Sequence, residues 1–290
     1  MERAHYHHCA TKGFDHSILF LNEQEYIAGM NRIGICLAAV FGVQLIAFCL
    51  MDNHVHFILY GKKADCLKWM NLYYRLTMIW QGHHRSEGVV DEKWLYDAWQ
   101  IVDPDDLRQK VVYVHRNPTV AAMWLIPSGY RWSSARLIFA DSTDLLSQKI
   151  PIGGLSRYEI RKRFETKILL PADWFMLADG MIWPGCYTRT DLVERLFGHP
   201  WKYLYELNQQ VESGINLEMW GNRISLPDHD AVKIASTEAL RRFGVSDLEM
   251  LDVQQRIILG KALRKKTGAN VKQLSRILHI MQADLKSLFE

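Results

Sequence analysis

Residues 43–61 read VQLIAFCLM-DN-HVHFILYG. Two apolar runs rich in β-branched and aromatic residues flank Asp52-Asn53, a pair with strong turn propensity. The stretch therefore predicts a β-hairpin with strands over 43–51 and 54–61. On the N-terminal side, residues 4–12 suit a first strand. Residues 23–40 carry Tyr26, Ile27, Met30, Ile33 and Leu37 at helical spacing, with Gly42 as a stop. On the C-terminal side, a helix is expected over 64–81 and a fourth strand over 93–102. Asp103-Pro104-Asp105-Asp106 then supplies an N-cap, a proline at the first helical position and acids in the first turn. That helix should run to Asn117, with Pro118 ending it. The order β-α-β-β-α-β plus a helix is α+β: a ferredoxin-like split βαβ antiparallel sheet with helices on one face.

From about residue 141 the character changes. Pro151, Gly153 and Gly154 mark a linker, and the rest predicts helices over 156–168, 189–197, 200–211, 230–243, 247–267, 270–278 and 282–289. The chain thus divides into a domain over 1–140 and a mostly helical extension over 141–290. Val271–Leu278 and the segment after His279 read as a helix-turn-helix within about 247–290, preceded by Lys261, Arg264, Lys265 and Lys266. Such a pair can dock on duplex DNA, and it is equally a common form of helical packing.

Composition sets the outer bounds. With 290 residues, 49% of them hydrophobic and 23% charged, the chain is ordinary globular material. A net charge of +3 permits a nucleic-acid partner without arguing for one. The five cysteines (Cys9, Cys36, Cys49, Cys66, Cys186) are odd in number and lack CxxC spacing, which predicts reduced, buried thiols. The apolar stretch from Ile33 to Met51 is interrupted by Gly34, Gly42 and Gln44, and the N-terminus has no apolar signal core. A soluble, cytoplasmic protein with no membrane partner is expected.

The chemistry concentrates in two places. On a strand, His54 and His56 point to the same face while Val55 points to the other. Two imidazoles on one face are most of a divalent metal site, and on a solvent-facing sheet they are also simply two polar residues. The helix beginning near Asp105 carries Leu107, Val111 and Val114 as its core stripe. Asp106, Lys110, Tyr113 and Asn117 form a different stripe, which places the Tyr113 phenol on the polar side with Asn117 one turn on. An amide oxygen there can complete a cation site begun by the histidines. A cation on a phosphodiester oxygen would neutralise developing charge, and a tyrosine nucleophile would conserve the bond energy in a covalent phosphotyrosine. Two imidazoles and an amide suit Mn²⁺ and tolerate Mg²⁺.

Three strings carry a family resemblance. Cys49-Leu50-Met51-Asp52-Asn53-His54-Val55-His56-Phe57-Ile58-Leu59 resembles the "LMPNHVHLLL"-like signature of single-tyrosine HUH transposases of the insertion-sequence and REP-associated (RAYT) group. Tyr113-Val114-His115-Arg116-Asn117-Pro118 is similar to that group's "YIHLNP" helix end, and Tyr130-Arg131-Trp132-Ser133-Ser134 to its "YPWSS" segment. The resemblance covers roughly residues 5–140, in matching order and spacing. It implies the ferredoxin-like fold, His54 and His56 as metal ligands, Asn117 as the third ligand, and Tyr113 as the nucleophile forming a 5′-phosphotyrosine. It further implies a Mg²⁺ or Mn²⁺ cofactor and single-stranded, hairpin-forming DNA as substrate. Duplex DNA would be a second partner through the C-terminal helices, and the assembly a monomer or homodimer. Asp52 stands where the group usually has proline, and Thr119-Val120-Ala121-Ala122 replaces a "VRAGL"-like continuation.

Lys62, Lys63, Arg108, Lys110, Arg116, Arg131 and Arg136 cluster in sequence around these motifs, and with Lys272 and Arg276 they are the candidate DNA contacts. Each is individually as consistent with an ordinary solvated charge. Trp132 fits a core position better than a stacking platform. Tyr73 and Tyr74 lie in an apolar helical run that favours packing. The other histidines have no metal-ligand spacing relative to a partner, and His7, though its strand could bring it near, is not counted in the site. The reading is a metal-dependent DNA strand transferase. Two rivals remain: a domesticated, non-catalytic binder of repeat DNA, and a hydrolase in which Tyr113 only orients water.

Overall fold

The computed structural model describes residues 3–11, 18–86, 94–121, 126–141, 149–208, 228–267, 269, 271–281 and 285. Its centre is a four-stranded antiparallel sheet of β1 (His5–Thr11), β2 (Gln44–Leu50), β3 (Val55–Gly61) and β4 (Tyr96–Ile101), in the order β2-β3-β1-β4. With α1 (Glu23–Ala39) and α2 (Lys63–His84) as crossovers, this is the expected split βαβ arrangement.

Local chemistry fixes the elements. Asn22 caps α1 by accepting from the Glu25 amide at 3.0 Å. Gly29 lies where α1 crosses Phe20, whose ring would sit 2.7 Å from a β-carbon there. Gly42 turns the chain into β2 with φ +82°, a conformation costly for any other residue. Asp52-Asn53 closes the hairpin, with the Met51 amide donating to the His54 carbonyl at 2.8 Å.

The two faces of the sheet have different coverings. Phe57 packs against Trp69 and Tyr73 of α2, with ring centroids 4.9 and 5.1 Å away. Tyr73 is fully buried there, in keeping with a packing role. The third helix, α3 (Pro104–Val120), lies over the opposite face, because His56, the neighbour of Phe57, meets Tyr113. Asp103 caps α3 with its carboxylate accepting from Asp106 N at 2.8 Å, and Pro104 takes the first turn.

Pro118 does not end α3, contrary to expectation. The helix continues to Val120, and the Ala121 amide closes it on the Asn117 carbonyl at 2.9 Å. Pro118 has no N–H for the Val114 carbonyl, one turn earlier. The Asn117 side-chain amide stands in, with Nδ2 3.5 Å from that oxygen and 2.9 Å from the Tyr113 carbonyl.

Beyond the sheet the chain is less uniformly helical than its periodicity suggests. A two-residue ribbon pairs Ile150–Pro151 with Phe175–Met176 between short helices. Ile152, Phe164, Ile182, Val193, Tyr203 and Leu207 all join the hydrophobic cluster of the sheet. A second cluster begins at Ala231 and is built from the helices Asp228–Phe243, Val253–Thr267 and Val271–Leu278. Among the described residues, hydrophobic packing therefore divides between Leu207 and Ala231, not near residue 140. The expected helix over 282–289 lies outside the described residues, except Leu285. No helix among the described residues is long and apolar enough to cross a membrane.

Candidate active site

The site forms where the central strands β1 and β3 meet the polar stripe of α3. In the β1–β3 register His56 lies opposite Ala10 and His8 opposite Ile58, so His8 and His56 are diagonal neighbours on one face. Their rings stack with centroids 5.3 Å apart, and His8 Nε2 lies 3.1 Å from His56 Nδ1. His54 sits one residue before β3, not within it, yet its ring still reaches His56, with centroids 4.8 Å apart and nearly perpendicular. The Tyr113 ring stands edge-on to both His56 (5.5 Å) and His8 (5.7 Å). His8 and His56 are buried, whereas Tyr113 is 50% exposed, so the phenol borders solvent with the imidazoles behind it.

Second contacts fix the orientation of these groups. Asn53 Oδ1 lies 2.8 Å from His54 Nδ1. An amide oxygen only accepts, so Nδ1 carries the proton and Nε2 the lone pair. The Asn117 amide, held by the Tyr113 and Val114 carbonyls, faces His54 and His56 and favours their protonated forms. For His56 to offer Nε2 as a ligand atom, its Nδ1 must donate to His8 Nε2, making His8 the acceptor that selects the tautomer.

Burial governs the charge state. It lowers His8 to about 4, with Lys110 adding to the effect and Asp106 opposing it. It lowers His54 to about 4 against the Asn117 hydrogen bond, with the Arg276 charge contributing. His56 is held well below its ordinary value by burial and then by His54 and His8. All three rings are therefore neutral near pH 7, the form that binds a cation. Among the described residues, no group of three or more His, Cys, Asp and Glu side chains is arranged to hold a metal ion. The residues that could hold one together are His54 and His56 with the Asn117 amide oxygen, donor types that Mn²⁺ or Mg²⁺ would accept.

The third motif explains how α3 is positioned. β2 is an edge strand, and the segment around Ser133 pairs with it: the Leu50 amide donates to the Trp132 carbonyl at 2.9 Å. Ser134 Oγ accepts from the Phe48 amide at 2.9 Å and lies 2.7 Å from His115 Nε2. His115 is buried on the side of α3 away from Tyr113, and its other nitrogen lies 2.8 Å from the Tyr203 hydroxyl. Trp132 stacks on Tyr26 in the core, as its sequence context suggested.

The residue missed by sequence was His8. Three histidines crowd β1, and none of them has metal-ligand spacing to a partner in sequence. The strand turns His7 to the other face, where Nδ1 lies 3.8 Å from Cys66 Sγ. Only the β1–β3 register distinguishes them.

The candidate DNA contacts are dispersed. Lys110 is half-buried beside His8, and Lys62 is exposed. Lys63 pairs with Asp97 at 3.5 Å. Arg116 is buried, and burial lowers the pKa of the half-buried Arg136. Arg131 is ion-paired with Glu23 and Asp179 over the Trp132 ring. The Lys272 side chain lies outside the described residues. Arg276 turns inward to Asp228, its Nε 2.7 Å from the carboxylate, beside Gln273 at 2.8 Å. The Asp228 amide in turn donates to Asp52 at 2.6 Å, and Asp52 also accepts from the Tyr26 hydroxyl. The aspartate in the hairpin turn thus anchors the C-terminal helices two residues from His54.

No protein-family model matches the chain, and no curated protein matches it. Among solved structures it is similar to a REP-associated tyrosine transposase bound to a REP hairpin, with a TM-score of 0.36 and 15% sequence identity, covering 46% of this chain and 78% of that one.

Proposed function

We propose that this chain is a divalent-cation-dependent DNA strand transferase that cuts single-stranded, hairpin-forming DNA through Tyr113. One observation carries the reading: a half-exposed phenol stands edge-on to two neutral, buried imidazoles, with the Asn117 amide one helical turn away. A structural tyrosine needs no such neighbours, and a pure binder has no use for a nucleophile beside a ligand set.

His54, His56 and Asn117 would hold the cation, which when bound supplies charge neutralisation at a non-bridging phosphate oxygen. The exposed edge of the Tyr113 ring lets its Oη approach phosphorus from solvent while the ring packs on His8 and His56. Attack forms the Oη–P bond and breaks the P–O3′ bond. The departing 3′ oxygen takes a proton and leaves as a hydroxyl, and the phenol proton passes to solvent. The reverse attack by a 3′-hydroxyl rejoins the strand without an external energy source. Asn53 and His8 act at one remove, fixing the tautomers of His54 and His56.

The test is incubation with labelled single-stranded oligonucleotides from the DNA flanking the gene, with Mn²⁺ or Mg²⁺, followed by a denaturing gel. A retarded, protease-sensitive band that Tyr113→Phe abolishes is the expected result. Binding without any adduct, with either metal and either strand, would favour the non-catalytic binder instead.

A further inference from the structure

Trp99 lies in the middle of the edge strand β4, directly opposite His8 in the β1–β4 register, with half of its surface open to solvent. Alternation along β4 turns Tyr96, which accepts from Asn71 of α2, and Ala98 toward α2 and leaves Trp99 on the face that carries the site. Its ring centroid is 5.9 Å from that of His8, which in turn is 5.7 Å from that of Tyr113. The exposed indole is therefore one imidazole away from the candidate nucleophile.

We propose that Trp99 is the stacking platform for a nucleobase flanking the phosphodiester presented to Tyr113. This rests on the strand-transferase reading above. A nucleobase suits the position better than a protein surface does. The flanking residues on that face are Asp97 and the buried Ile101, and His8 is the neighbour on β1, so the exposed indole does not belong to a broad exposed apolar patch. Every base has a π-face that an exposed indole can take without reading sequence, and single-strand grooves combine such faces with cations along the backbone. Lys110 on α3 supplies a cation near His8, on the same side as Tyr113. Among the aromatic residues packed at the site, Trp99 and Tyr113 are the half-exposed pair, whereas Trp132 is buried against Tyr26.

The experiment measures affinity for a single-stranded hairpin oligonucleotide by fluorescence anisotropy, in a Tyr113→Phe background that prevents turnover. The intact strand is compared with strands carrying one abasic nucleotide at successive positions around the cleavage site. Trp99→Ala should weaken binding of the intact strand by about 5- to 150-fold, the span base–aromatic stacking yields on alanine substitution. At one abasic position the two proteins should bind alike, and Trp99→Phe should keep most of the affinity. Equal affinity of Trp99→Ala and parent for every strand would overturn the proposal. So would an equal loss on every strand, abasic or not, because it would mark a general effect on the fold. If the chain with Tyr113 intact binds but forms no adduct, the strand-transferase reading fails while the abasic comparison still decides the role of Trp99. Absence of any single-strand binding would overturn both.

Discussion

Replacing His8 with valine removes one group that burial keeps unprotonated in the folded chain, and the consequence can be worked out before measurement. In the folded protein His8 titrates at about 4, whereas in the unfolded chain it should return to its ordinary 6.5. Its folded value is depressed, so as pH falls below 6.5 the unfolded state takes up a proton that the folded state refuses, and stability is lost. The loss accumulates between these two values and then levels off. From this one side chain it amounts to about 2 kcal/mol at about pH 5 relative to neutral pH. His8→Val also forfeits the 3.1 Å contact with His56 and removes one of the causes that lower the His56 pKa, so His56 changes the slope in the same direction. The diagnostic quantity is therefore slope. Urea unfolding at a series of pH values should show the variant losing stability less steeply than the parent, by about 1.4 kcal/mol per pH unit at the steepest. Parallel curves for the two proteins would refute the claim that burial holds this imidazole neutral and ready to accept from His56.

Ser134→Ala should cost about 1–3 kcal/mol in urea unfolding, because the Phe48 amide loses its acceptor in a buried setting. The same variant should lower adduct yield by releasing His115 and with it the placement of α3. Arg276→Ala leaves Asp228, 2% exposed and already close to Asp52, without its cation, at about 3–5 kcal/mol. Limited proteolysis should then cut the C-terminal helices faster, and a parent-like digestion pattern would count against the anchor. Mn²⁺ at about a hundredfold excess over its dissociation constant should add about 2.7 kcal/mol to unfolding stability. Calorimetry should find that increment missing from His56→Ala.

What could be read in the sequence was what local chemistry fixes. The Asp52-Asn53 turn between two apolar runs, the Asn22 and Asp103 caps and the Gly42 stop each act within a few residues, and each element they bound is present within a few residues of its expected limits. Tyr113 and Asn117 share the polar stripe of α3 for the same reason: helical periodicity needs no partner. His8 was illegible because its role depends on how β1 registers against β3, which nothing in the HYHH run specifies. The span of α3 exceeds the expectation because Pro118 removes a donor that the Asn117 side-chain amide supplies instead, a contact that helical periodicity does not reveal. The ribbon at Ile150–Pro151 and Phe175–Met176 is too short to leave a periodic trace. The packing of residues 152–207 onto the sheet is set by contacts distant in sequence, such as Tyr203 on His115.

β1, the hairpin turn and α3 bring His8, His54, His56, Asn117 and Tyr113, the candidate nucleophile, together within the fold of a single chain. The arrangement has a genetic corollary. A Tyr113→Phe copy would keep the surface proposed to bind DNA while lacking the nucleophile, so it should compete with an intact copy for the same hairpins and lower its output as its dose rises. Decayed copies of the gene would then spare the working one only where the fold itself is lost.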